Sequence, residues 1–182
     1  MQTFHNDPAI KAKYLARVRA HRLADNLIQG TAWRAGKGCA VGCTLESYDH
    51  QRYPIELGLP EWLAHLEDHI FEALPSAESQ LWPEQFLETI PVGVEESRLA
   101  MVRDQFQIFW LERQKSQIDQ SAWPLVVAAI DGVLVLLRLA VCGTEPTLEA
   151  WSGARSAAWS AAWNETEVKR DWLLKALKET AA

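Results

Sequence analysis

Apolar residues recur at three- and four-residue intervals through every long segment of this chain, and no stretch alternates apolar with polar at the period of a half-buried strand. Proline and glycine punctuate that pattern. Asp7 and Pro8 suit a helix start, and Ile10, Tyr14, Val18, Leu27 and Ile28 make an apolar side that runs until Gly30. Pro60 opens a helix over 61–74, Ser76 caps a short turn, and Pro83 and Pro91 bracket a helix over 84–90. A longer one is expected over 95–118, with Leu99, Val102, Phe106, Phe109 and Trp110 on its apolar side. Pro124 starts another that Gly143 ends, and the last runs over 147–180. The spacing predicts an all-α fold: one domain over 1–182, an irregular bundle of about five to seven helices. The exception is the connection over 31–59, with Gly36, Gly38, Gly42 and Gly58 and only short apolar runs. Loops of that length are functional or hold short elements of their own, and residues 39–45 fit one or two buried helical turns.

With 182 residues and 48% hydrophobic content the chain can bury a sizeable core without disulfides or metal. Its first residues hold no signal-type apolar stretch and its three cysteines make no disulfide framework, so the expectation is a reduced, cytoplasmic protein. The run over 125–142 is nearly long enough to cross a membrane, but it carries Asp131, Gly132 and Arg138. Ionisable groups are costly at a bilayer centre, which favours the central helix of a soluble body and no membrane partner.

The net charge of −6 is unevenly spread. Residues 1–43 carry +5, residues 44–96 carry −11, and the remainder balances. A basic first helix beside an acidic middle section predicts that the two face each other. The acidic whole points away from nucleic acid.

Within the connection, residues 36–44 bring small residues, Lys37 and two thiols together, in an order that does not make a P-loop. Cys39 and Cys43 are four apart, too far for a redox CxxC pair, and standing among Gly, Ala and Val they are expected to be buried and reduced. An alternative groups Cys39 and Cys43 with His50 and the His65 and His69 pair around a metal, because histidines four apart share a helix face. HLEDH lacks the glutamate position of a zinc-protease helix. Asp131 and Arg138 are expected to find polar partners on another helix, and Trp62, Trp82, Trp110 and Trp123 have the spacing of core or helix-junction residues.

Residues 151–163, WSGARSAAWSAAW, set Trp151, Arg155, Trp159 and Trp163 four apart among Ala, Ser and Gly. On a helix this is a ridge beside a flat strip, a surface for another helix rather than for chemistry. Residues 33–75, with GCAVGCT, Tyr53, ELGLPEWL and IFEALP, resemble the front half of uncharacterised proteins of bacteria and their phages, and residues 151–163 resemble the Ala, Ser and Trp tetrads that end many of them. They are also similar, less closely, to alanine-rich helices of immunity proteins. The resemblance implies an all-helical protein in a phage or mobile-element setting and transfers no catalytic residues. Without an ordered acid, base and nucleophile set, the sequence favours a non-enzymatic protein that binds a protein partner or itself, with no cofactor. A metal or small-ligand site remains the alternative.

Overall fold

The computed structural model describes residues 1–158. The all-α expectation is met, and the chain separates into two compact units, Met1–Leu99 and the residues from Ala100 onward.

In the first unit Asp7 caps α1 (Pro8–Leu23), its Oδ1 accepting from the Ala9 N–H at 2.8 Å with Pro8 in the first turn. The helix stops seven residues short of the expected Gly30. Asp25 turns left-handed, and the Asn26 carbonyl and Ile28 amide bond the backbone of Gly38. Leu27 is therefore buried from an extended segment, not a helix face. Two short strands follow, β1 (Trp33–Arg34) and β2 (Lys37–Gly38), paired antiparallel across Ala35 and Gly36, both at positive φ. This is the geometry of a two-residue hairpin turn. Strands of two residues display no alternation, so periodicity did not predict them.

The rest of the connection coils into α2 (Ala40–Leu45) and α3 (Arg52–Leu57), which lifts the number of helices above the expected range. Every residue of α2 is buried, and the helix packs against α1, α4 (Glu61–Ala73) and α6 (Trp82–Thr89). A four-residue turn, α5 (Ser76–Ser79), links the last two. What allows α2 so deep is the close approach of the chain before it. The Ala32 carbonyl oxygen occupies the space that a Cβ at Gly38 or Gly42 would need. Val41 and Leu45 of α2 share one core cluster with Tyr14, Tyr53, Phe71 and Leu87, each burial contributing about 1.5–3 kcal/mol for a side chain of this size.

The expected match of basic and acidic segments is present. Arg19 and Arg22 of α1 both reach Glu84 of α6, Arg19 also reaches Glu88, and Arg17 pairs with Glu46 at 3.6 Å. Burial opposes the charge on Glu84, but the two guanidinium hydrogen bonds outweigh it and hold the carboxyl below its usual range. The N-terminus is tied across the unit. The Thr3 amide donates to the Val94 carbonyl and the Gly93 amide to the Thr3 carbonyl, while the Thr3 hydroxyl donates to Pro91 and accepts from the Val94 amide.

In the second unit α7 (Glu96–Gln117) and α8 (Pro124–Val141) run antiparallel, with Lys115 on Asp131 at 2.6 Å and Glu112 on Arg138 at 2.6 Å. Asp119 folds the turn between them by accepting from the Ser121 and Ala122 amides. Thr144 and Gly143 amides close the end of α8 on the Leu139 and Ala140 carbonyls, with Gly143 left-handed as its cap position requires. Residues 148–158 are helical, and the rest of the expected helix over 147–180 lies outside the described residues.

Two expectations fail here. Among the described residues α8 is not a central core helix: only 17% of it is buried, namely Ala129, Leu134 and Leu137. It remains long and apolar enough, by length and composition, to cross a membrane. On α7 the shielded line is Asp104, Ile108, Leu111 and Lys115, and Val102, Phe106, Phe109 and Trp110 face outward. The ion pairs of Lys115 and Glu112 with α8 lie on the side of α7 that faces it.

Replacing Gly42 with valine puts a side chain onto the Ala32 carbonyl. The expected outcome is a loss of about 1–3 kcal/mol, read as a lower urea midpoint at unchanged slope.

Candidate functional site

The polar side chains of the first unit gather where α2, α3 and α4 meet. On α4 the apolar stripe Leu63, Ala64 and Phe71 is interrupted by Glu67 and Asp68, both buried. Glu67 is sealed in the core, where the Tyr53 hydroxyl of α3 donates to its Oε2. Its Oε1 and the Thr44 hydroxyl of α2 have no hydrogen-bond partner among the described residues, although Thr44 sits close enough to the Tyr53 phenol to bear on its ionisation. Asp68 opens toward the surface, accepting from the Val41 amide at 3.4 Å and meeting His50 Nε2 at 3.5 Å. His50 stacks flat on His65 at 4.2 Å, and Tyr48 meets it edge-on.

The electrostatics of this group do not build a nucleophile. Cys39, the N-cap residue of α2, donates its thiol proton to the Ala32 carbonyl and accepts from the Gly42 amide at 3.4 Å. Burial, with the Asp68 carboxylate next, pushes that thiol far above its ordinary range. A reactive cysteine needs the opposite, a cationic neighbour that favours thiolate. Cys43, hydrogen-bonded to the Asn26 and Gly38 carbonyls, is pushed up to about 12 by burial. Burial, then His65, holds His50 below its usual value despite Asp68. For Glu67 burial dominates and Asp68 adds to it, so its carboxyl is pushed up to about 8 against the Tyr53 hydrogen bond.

The sequence candidates disperse accordingly. Cys39 and Cys43 are both buried free thiols, as expected, and Cys142 is an exposed one. Of the five residues weighed for a metal, the structure brings His50 and His65 into contact, leaves His69 exposed, and turns both core thiols toward backbone carbonyls. Among the described residues no group of three or more His, Cys, Asp or Glu side chains converges as a metal would require. Asp131 and Arg138 do find polar partners on another helix, but at the surface. Trp82 is a junction residue, its indole N–H on the Glu67 carbonyl at 2.9 Å, whereas Trp110 is exposed. Trp151 is half-buried and Arg155 exposed, while Trp159 and Trp163 lie outside the described residues.

Glu67, Asp68, Tyr53, Thr44 and Tyr48 escaped sequence reasoning. The available signal was a pair of acids on the apolar side of an amphipathic helix. The other surface of note is on the second unit, where Phe109 is 59% exposed and Trp110 47%, in line with Val102 and Phe106.

No protein-family model, curated protein or solved structure matches the chain.

Glu67 makes stability pH-dependent in a stated direction. Its folded form resists ionisation up to about 8 while the unfolded carboxyl ionises near 4.5, so its stabilisation is complete at low pH and lost as pH rises through that window. Relative to Glu67→Gln, the wild type should lose about 1 kcal/mol per pH unit between about pH 5 and 8 in urea titrations. His50 acts in the opposite sense, eroding stability as pH falls below its unfolded value. In thiol labelling of the native protein, Cys142 should react at once and Cys39 and Cys43 only on unfolding.

Proposed function

We propose that this is a non-enzymatic helical interaction protein that binds a protein partner through the outward side of α7. The observation that carries this is the line Val102, Phe106, Phe109 and Trp110, large apolar groups at helical spacing left in water. A contiguous patch of that kind on a soluble chain marks a contact surface, and aromatic residues dominate the energetics of such contacts. The inert thiol chemistry of the first unit supports a binding role over a catalytic one. The resemblance of residues 33–75 and 151–163 suggests a bacterial or phage setting, with the cytoplasm as the compartment.

The test pairs the wild type with a Phe109→Ser, Trp110→Ser variant. Both side chains are exposed, so the variant should fold with unchanged circular dichroism and thermal midpoint. Immobilised wild type should retain a host protein that the variant loses. If every retained protein binds both forms equally, and both sediment alike, the reading fails.

A further inference from the structure

Residues 46–51, between α2 and α3, are held to the rest of the first unit at few points. Among the described residues no backbone hydrogen bond joins them to any element but α3, whose Arg52 and Tyr53 amides donate to the Asp49 and His50 carbonyls. Glu46 sits left-handed at the end of α2 and faces Arg17 at 3.6 Å and His21 at 3.5 Å, both on α1. Arg17 also donates to the Thr44 carbonyl at 2.9 Å, so this end is fixed by a cation that keeps its charge from neutral to acid pH. The middle of the segment meets α4 through His50 and Tyr48.

The His50 side chain is 11% exposed and lies against two groups of α4. Asp68 faces its Nε2 at 3.5 Å, and His65 lies flat on it, with ring centres 4.2 Å apart and planes within 11°. Glu61 stands beyond, 3.5 Å from His65 Nε2. From the segment itself Tyr48 meets His50 edge-on, and Asp68 and Glu72 of α4 and Cys39 at the start of α2 bear on the Tyr48 phenol. Neutral imidazoles stack at this separation without cost. Two imidazolium rings do not, because like charges about 4 Å apart repel and His50 has given up most of the water that would screen them. Burial, then His65, opposes the charge on His50, and Asp68 and Glu61 favour it without prevailing.

We infer that residues 46–51 are a pH-operated latch: neutral His50 closes them on α4, and charge on both His50 and His65 releases them about Glu46. The outward side of α7 plays no part in this. Released, His50 regains water and leaves His65, so the open form takes up a proton more readily than the closed one. The latch is therefore complete above about pH 6.5 and lost as pH falls through the lower, closed-state value of His50. Glu67 sets the opposite trend in the core behind, where its stabilisation is complete at low pH, so acid opens the segment while the packing around Tyr53 holds. Opening uncovers Asp68 beside the first turn of α2.

Amide exchange of the full chain at about pH 7.5 and 5.5, corrected for its intrinsic pH dependence, tests this. Protection of the Arg52 and Tyr53 amides should fall at least about threefold on acidification, with a ceiling of about tenfold per pH unit for each proton taken up, while amides of α1 and α6 keep theirs. His65→Phe keeps a ring against His50 and removes the second charge. His65 is 59% exposed, so this variant should fold with unchanged circular dichroism, and its acid response should be less than about half that of the wild type. His50→Gln removes the latch and should leave both amides weakly protected at either pH. A wild type without the acid response overturns the inference, and so does a response shared equally by α1 and α6, which makes the opening global. A His65→Phe or His50→Gln variant that responds as the wild type does overturns it too.

Discussion

The first unit is organised by one steric contact, the Ala32 carbonyl oxygen lying against the bare α-carbons of Gly38 and Gly42. With any side chain at either position, the segment before the hairpin would stand off by the width of a methyl group. α2 could not then lie between α1, α4 and α6, and the thiols of Cys39 and Cys43 would lose the carbonyl acceptors that hold them. The polar group beyond follows from the same placement. Val41 presents its amide to Asp68, and Thr44 comes to lie beside Tyr53, only because α2 is seated there.

Buried polarity in that unit is graded. Tyr53 and Glu67 are sealed in the core, Asp68 stands at its edge, and Tyr48 and His65 reach water. Desolvation moves Tyr53, Glu67 and Tyr48 toward their neutral forms, and Glu84 in the α1 and α6 contact shows the contrast. Glu84 keeps its charge because two guanidinium groups compensate its burial, whereas Glu67 has only a phenol and so keeps its proton. α4 thereby carries a buried acid that keeps its proton, while Glu84 of α6 keeps its charge.

The long helices were legible in the sequence because proline, Asx caps and glycine mark their ends. Pro8, Pro60 and Pro124 each stand at a real start, and Gly143 at a real stop. Within the connection over 31–59, α2 was legible as the buried helical turns expected over 39–45, and the rest was not. The two-residue strands and α3 are too short for periodicity to register, and the strands depend on Asn26, Ala32 and Gly38 meeting across the chain. The cysteines were read correctly as buried, since their neighbours are small and apolar. Asp68 and Glu67 were not read, because acids on an amphipathic helix count as solvent-facing until a partner such as Tyr53 is known. The outward turn of α7 was likewise invisible, because a helix considered alone does not reveal that its Glu112 and Lys115 side meets α8.

The tie between Thr3 and the stretch from Pro91 to Val94 bears on how the chain is made. The segment around Thr3 finds its hydrogen-bonding partners only after some ninety further residues have followed it. Until then the amide and hydroxyl of Thr3 have no mates, and the edge formed by residues 91–95 does not exist. This tie therefore forms only once both ends of the unit exist. A chain that stops short of residue 91 keeps the partners that pack α2 and lacks the hydrogen bonds that tie Thr3.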